Sequence, residues 1–287
     1  MVAIPTDRQR WGLRTTERAV ERLYGHHDPS AQDSHDGYLN FGLWEPGITT
    51  YLDAAERMVM RMGELLQLAP GSRLVDAAPG RGTQDLALVR RFGPLEVDAV
   101  DITWKHVETA RRRAHSQGVT TARFHHASAV ALPFSAGQFT HALCLEAAHH
   151  FDTRERWLRE AHRVLGAGGR LAMADFAIVR SPRGALQRAV YDAVCGAWSV
   201  PRANAITPDG YVDLLRDIGF VDIELQQVGA LTFPGYWQEQ RRLERRREVL
   251  QIRGRLGAAV GVALNYGLVQ LYEQGWVEYV LVSARKR

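Results

Sequence analysis

From residue 73 onward, short apolar runs alternate with longer stretches whose apolar positions recur at helical spacing. The runs 73–77, 96–101, 122–126, 139–145 and 170–176 have the length and composition of strands. Between them, 84–92, 107–116 and 154–165 read as amphipathic helices. Strand and helix in alternation predict βαβ units, hence parallel strands with helices on both faces. Past residue 180 a mostly helical stretch reaches Gly196, and Thr207 caps a helix that begins on Pro208 and runs to about 218. Two further strands, 221–228 and 276–285, are separated by roughly forty residues of helical pattern. That separation is too long for a tight hairpin and predicts a lid. Ahead of the alternating region, 15–24 and 51–68 read as helices, with turn-rich sequence from 25 to 47 between them. The expected division is a helical cap over 1–70, an α/β core over 71–229, a lid over 230–275 and a last core strand over 276–287.

Composition narrows the class without naming a function. The 287 residues are 46% hydrophobic and 24% charged, a balance that packs a core and argues against disorder. Cys144 and Cys195 are the only cysteines and lack CxxC spacing, so neither a disulfide framework nor a thiolate metal centre is expected. No apolar run approaches the ~20 residues that span a bilayer, and the start of the chain shows no charged-then-apolar signal pattern. A cytoplasmic protein with no membrane partner is the expectation. The net charge of +4 raises the question of nucleic acid. Nearly all the basic residues are arginine, with lysine only at 105 and 286, and they are spread without a nucleic-acid-binding motif. A small-molecule substrate and no nucleic acid are expected instead, and oligomeric state is left open.

The first strand runs into Asp76-Ala77-Ala78-Pro79-Gly80-Arg81-Gly82-Thr83. Glycines at a strand-to-helix turn let a ligand lie against bare backbone, beside the unpaired N–H groups of the following helix. Asp101 ends the second strand, where a carboxylate can accept hydrogen bonds from two ribose hydroxyls. Turn and acid together describe an adenosine site on an α/β sheet. A dinucleotide fingerprint would want a third glycine where Asp85 stands, and an acid there suits a pyrophosphate poorly. Asp76, just before the turn, would likewise repel a pyrophosphate but suits the ammonium of a methionine moiety.

These residues are similar to the motifs of class I S-adenosylmethionine-dependent methyltransferases. Asp76-x-Ala78-x-Gly80-x-Gly82 resembles their first motif and Val100-Asp101-Ile102 their second. Ser128-Ala129-x-x-Leu132-Pro133-Phe134 resembles their D-A-x-x-L-P-F segment, and 165–171 their turn before the fifth strand. The closing 279–286 looks like their last, antiparallel strand. The likeness is to bacterial sugar and natural-product O-methyltransferases. It implies a Rossmann-like seven-stranded sheet, mostly parallel with its last strand antiparallel, with helices on both faces and a helical lid. It implies S-adenosylmethionine as cofactor, bound at Asp76, Ala78, Gly80, Gly82, Asp101, Ile102, Ser128, Ala129 and Leu145. Residues 39–44 resemble an N-F-G-Y-W-type segment that helps close the pocket in such enzymes, which adds Trp44; core packing by Phe41 and Trp44 is the alternative. Tyr24 is a further pocket candidate. Two positions depart from the pattern. Ala78 replaces the first loop glycine, which is tolerated if φ is negative there. Ser128 replaces the acid that accepts a hydrogen bond from the adenine amino group, and a serine oxygen accepts one more weakly and from shorter reach.

Methyl transfer to a hydroxyl calls for a base, whereas a neutral amine needs none. The fourth strand ends in Leu145-Glu146-Ala147-Ala148-His149-His150-Phe151, at the sheet edge where ligands of α/β folds bind. In the resembled enzymes a histidine here and an aspartate after the fifth strand are the usual base candidates, which implies His149 or His150 and Asp175. Glu146 comes first if the acceptor is a carbon. The bland alternative is that the two histidines pack under and cap the next helix. Adjacent histidines rarely converge on one centre, so no metal is expected. In the lid, the aromatic group 233–237 could line an acceptor pocket, and the arginines of 241–248 could clamp an anion unless Glu244 and Glu248 pair with them. Trp198, Asn204 and Tyr211 are further pocket candidates. The reading is a methyltransferase of small secondary metabolites, O-methylating a hydroxyl with a histidine base. Its alternatives are N- or C-methylation, or a cyclase or regulator on the same fold.

Overall fold

The computed structural model describes residues 17, 18, 20, 21, 36–180 and 184–287. Seven strands form one sheet: β1 (Arg73–Ala77), β2 (Glu96–Asp101), β3 (Ala122–His126), β4 (Phe139–Leu145), β5 (Leu165–Ile178), β6 (Phe220–Gln227) and β7 (Val277–Lys286). Their order is β3-β2-β1-β4-β5-β7-β6, with β1 to β5 parallel and β7 antiparallel to both its neighbours. The strand order reverses between β1 and β4, and the connections leaving those two strands diverge to opposite faces. That divergence opens a crevice at the carboxyl edge of the sheet.

The strands sit where the apolar runs predict them. Period-two alternation sends neighbouring side chains to opposite faces. Leu74, Leu143 and Ala172 enter the core on one face, and Val75, Ala142 and Met173 the core on the other. β5 begins five residues before its expected start because Leu165 already pairs with Phe139, ahead of a register shift between Phe139 and His141. Helix α1 (Tyr51–Leu66) precedes the first strand, and the connections between strands carry α2 (Thr83–Phe92), α3 (Trp104–Ser116), α4 (Arg154–Val164), α5 (Ala185–Ala197) and α6 (Pro208–Ile218). Thr207 caps α6 as expected, its hydroxyl accepting from the Gly210 N–H at 3.1 Å, and Pro208 occupies the first turn.

The stretch between β6 and β7 folds as α7 (Phe233–Arg241) and α8 (Leu243–Glu273). Gly254 interrupts α8 with φ 67° and ψ 177°, so the helix runs as two segments meeting at a kink. Among the described residues no helix is long and apolar enough to cross a membrane.

The turn from β1 into α2 is held tightly. Gly82 has φ 75°, and a Cβ there would lie 2.7 Å from the Ala110 Cβ and 2.9 Å from the Phe124 ring. Gly47 is also left-handed, at φ 94°, but a Cβ there meets nothing within 4 Å. Gly82→Ala should therefore lower stability in urea unfolding by about 2–4 kcal/mol, backbone strain plus overpacking. Gly47→Ala should cost only the backbone share, about 1–2 kcal/mol.

Candidate functional site

One cavity lies in the crevice above β1 and β2. Of the residues expected to bind the cofactor, Ala78, Gly80, Asp101, Ile102, Ser128, Ala129 and Leu145 line it together. The backbone of the turn does not follow the expectation at Ala78, where φ is +61° rather than negative. The Ala78 N–H donates to the Val100 carbonyl at 2.7 Å, and that tie to β2 holds the residue left-handed at a cost of about 1–2 kcal/mol. Gly80 follows at φ 59°, where a Cβ would come within 2.7 Å of Leu39. Its N–H donates to Asp101 Oδ2 at 3.2 Å, and the Thr103 N–H to Asp101 Oδ1 at 2.7 Å. His106 Nδ1 lies 3.3 Å from the same Oδ2. The carboxylate is thus fixed at the cavity wall.

Asp76 is placed differently from the expectation. It has no exposure and does not line the cavity; Gln84 does, and donates to Asp76 Oδ2 at 2.6 Å. Burial pushes the Asp76 carboxyl up to about 6, against the hydrogen bond from Gln84. Asp85 beside it is pushed well above the carboxylate range by burial and then by the Asp76 charge. The Asp76 Oδ1 atom is buried without a hydrogen-bond partner among the described residues. Gly82 shapes the turn without lining the cavity. Trp44 lies outside the cavity too: its indole N–H donates to the Phe41 carbonyl at 2.9 Å, and its ring packs on Gly235 of α7. Tyr24 lies outside the described residues.

This geometry suits S-adenosylmethionine. Gly80 and Leu39, whose side chain takes the space a Gly80 Cβ would need, line the cavity together. Asp101 offers remaining acceptor capacity for a diol, and the buried, partly orphaned Asp76 gives the turn its negative charge. Apolar walls at Ile102, Ala129 and Leu145 suit a base.

A second, larger cavity of about 840 Å³ adjoins the first, and Leu39, Glu146 and His150 line both. Its walls carry Phe41, Phe176, Trp198, Tyr236 and Trp237, with Phe41 and Tyr236 stacked at 4.0 Å. Arg245, Arg246 and Arg255 from the two segments of α8 also reach it; Arg245 pairs with Glu248 at 2.9 Å. Thus Trp198 and, of the aromatic group 233–237, Tyr236 and Trp237 line a pocket, whereas Phe233 is buried in the core.

His149 is on the wall of this cavity, 3% exposed, with Nδ1 at 3.1 Å from Asp175 Oδ1. Asp175 has no exposure and sits behind the histidine. Arg154 donates to it through Nε at 2.5 Å and the Tyr211 hydroxyl at 3.1 Å. Burial opposes ionisation of Asp175, yet the Arg154 guanidinium and the His149 N–H outweigh it and hold the carboxyl well below its usual range. Burial lowers the His149 pKa, against the pull of Asp175, so the imidazole is neutral near pH 7. His150 is lowered further, by burial and then by His149. Its Nδ1 lies 3.4 Å from the Ser199 carbonyl. Asn204 binds the loop, donating to the His149 and Phe151 carbonyls at 3.0 and 2.8 Å. Tyr211 and Asn204 therefore hold this loop and Asp175; neither is on the wall of the large cavity.

Glu146, at φ 55°, accepts from the Phe41 N–H at 2.8 Å and from the Tyr279 hydroxyl. Burial pushes its carboxyl up to about 8, against those two donors. Arg154 carries no local motif and Tyr279 stands in the closing strand like any strand residue, so neither is legible as a site residue in the sequence. Glu17 is another: it lines the cofactor-type cavity from the N-terminal segment, where sequence shows only a helix among charges. Among the described residues no group of three His, Cys, Asp or Glu side chains is arranged to hold a metal.

Residues 74–169 match a methyltransferase domain. Over 250 residues the chain is 31% identical to 27-O-demethylrifamycin SV methyltransferase of Amycolatopsis mediterranei, covering 86% of this chain and 89% of that relative. Erythromycin 3''-O-methyltransferase of Saccharopolyspora erythraea is 29% identical over 231 residues, 77% of this chain and 76% of the relative. Geranyl diphosphate C-methyltransferase from Streptomyces coelicolor A3(2), solved with S-adenosyl-L-homocysteine, shares the fold at a TM-score of 0.74 and 18% identity, over 96% of this chain and 98% of that one. The cyclase SpnF shares it at a TM-score of 0.77 and 20% identity, over 95% and 97%. Sequence kinship along most of the chain and the crevice built on the β1 turn lead to one assignment: the chain belongs to the S-adenosylmethionine-dependent methyltransferases of natural-product type.

Proposed function

We propose that this enzyme O-methylates a hydroxyl on an apolar secondary metabolite, with His149 as general base. The observation that carries the reading is the His149 imidazole, buried on the wall of the 840 Å³ cavity with Nδ1 3.1 Å from Asp175 Oδ1; burial lowers its pKa and so favours the neutral ring. An Nδ1–H donated to Asp175 leaves Nε2 as the acceptor of a hydroxyl proton. Asp175 stays ionised and stabilises the imidazolium once the proton arrives. Bound S-adenosylmethionine supplies an activated methyl group. The protein's part is to hold the acceptor oxygen in line with it, exclude water and take the proton. Of the candidate cofactor positions, those on the wall hold the cofactor directly; Asp76 acts through Gln84, and Gly82 through the shape of the turn. Helices α7 and α8 serve as the lid over the acceptor. The rifamycin and erythromycin relatives named above modify oxygen on large natural products, and a cavity of this size and aromatic character suits such an acceptor.

Glu146 supports a second reading, C-methylation with a carboxylate base, because it alone among the described acids lines both cavities. Its raised carboxyl weighs against that role near neutrality, where the group already holds a proton and cannot take another as a base.

Three outcomes follow. His149→Gln should lower kcat by about 10²–10⁴-fold while S-adenosylhomocysteine affinity, read by calorimetry, stays as it is. An unchanged kcat removes His149 from the mechanism. Asp175→Asn leaves the buried Arg154 charge without its partner and should cost about 3–5 kcal/mol in urea unfolding.

The pH profile has a definite sign. His149 is lowered, so the acid limb of kcat/KM should fall below pH 6.5, not at or above it. Glu146 is raised, so the folded chain keeps a proton that the unfolded chain releases as pH climbs from about 5 to about 8. Stability should decline over that window, with Asp76 and Asp85, also raised, contributing to the slope, and Glu146→Gln, whose amide oxygen can still accept from Phe41 and Tyr279, should make the decline shallower. An unaltered slope in that variant would show that Glu146 is ionised at neutral pH.

A further inference from the structure

Ser128 occupies the position where the methyltransferase pattern has an acid, and the structure places an acid beside it from the other end of the chain. Glu17 Oε1 accepts from the Ser128 hydroxyl at 2.5 Å across 111 residues of sequence. Glu17 is 8% exposed, and both residues line the cavity that holds Asp101 and the β1 turn. Val20, on the same helical segment, lines it as well. Ser128 Oγ also accepts from the Val130 N–H at 3.3 Å, which fixes the hydroxyl so that its proton is directed to Glu17.

We infer that Glu17 supplies the acceptor for the exocyclic amino group of adenine, with Ser128 as its positioning partner. This rests on the cavity being the S-adenosylmethionine site. A hydroxyl alone is a short acceptor, and its one proton would have to turn away to receive an N–H. A carboxylate has about four acceptor positions, enough to receive the Ser128 hydroxyl and the adenine amino group together. A charged acceptor also roughly doubles the strength of such a bond. The pair thus restores the acid from a separate element, the N-terminal helical segment, which becomes part of the cofactor wall. The arrangement also selects the base. Hypoxanthine presents an oxygen where adenine presents the amino group, and that oxygen would face the carboxylate with no proton between them.

The test is calorimetric binding of S-adenosylhomocysteine and S-inosylhomocysteine to the full chain, with thermal unfolding as a check on folding. Glu17→Ala should weaken the adenine ligand by about 10- to 100-fold and shrink the preference for adenine over hypoxanthine. Adding Ser128→Asp to Glu17→Ala should recover most of both, whereas Ser128→Asp alone sets two carboxylates together and should weaken binding. Adenine affinity unchanged in Glu17→Ala would overturn the inference. So would a loss with the base preference intact, or one that Ser128→Asp does not repair, since mere support of the helix would behave that way. Asp101→Ala separates the underlying assignment: if it leaves S-adenosylhomocysteine affinity untouched, the cavity is not the cofactor site. If it weakens binding while Glu17→Ala does not, only the role of Glu17 fails.

Discussion

Asp175 has no contact with solvent, and its charge persists there because Arg154, Tyr211 and His149 surround it with donors. A lone buried carboxylate would cost several kcal/mol and protonate instead. Each donor comes from a different element: Arg154 from the start of α4, Tyr211 from α6, and His149 from the loop after β4. Arg154 also donates to the Asn204 and Phe176 carbonyls, and Asn204 in turn holds the loop that carries His149. One ion pair therefore fixes the edge of the sheet, the ring orientation of His149 and, through His149, one wall of the larger cavity. Removing any donor would loosen all three, since networks of this kind lose more than one bond at a time.

The two cavities meet where Leu39, Glu146 and His150 contribute to both. Glu146 holds the junction through a left-handed backbone and two donors, from Phe41 on the N-terminal side and Tyr279 on β7. Strain of that kind costs of order 1–3 kcal/mol and persists only where the surroundings over-determine it. Phe41 in turn stacks on Tyr236 of α7, so the segment that borders the cofactor-type cavity also carries one wall of the larger one. The two cavities thus share a wall built on the same segment.

Much of this was legible in the chain because it depends on local rules. Apolar runs of strand length located all seven strands, and the glycine turn with Asp101 located the crevice. What was hidden depends on contacts between distant residues or on dihedral angles. Nothing in the letters of Ala78 reveals a φ of +61°. Aromatic residues outside strands read alike whether they line a pocket or fill a core, which is why Trp44 and Tyr211 turned out to be supports rather than walls. Arg154 is one arginine among many, and its burial beside Asp175 leaves no trace in periodicity. The pairing of Glu17 with Ser128 spans 111 residues and belongs to no motif.

The claim that most depends on this geometry is that the methyl group goes to oxygen. It is tested most directly by incubating the enzyme with S-adenosylmethionine carrying a ¹³C-labelled methyl group and a panel of macrolide and terpenoid alcohols, then recording the ¹³C spectrum of the product. A single labelled resonance at the shift of a methyl ether is the predicted result. A labelled methyl at the shift of a C-methyl or N-methyl group, or cofactor turnover with no labelled product, would contradict it.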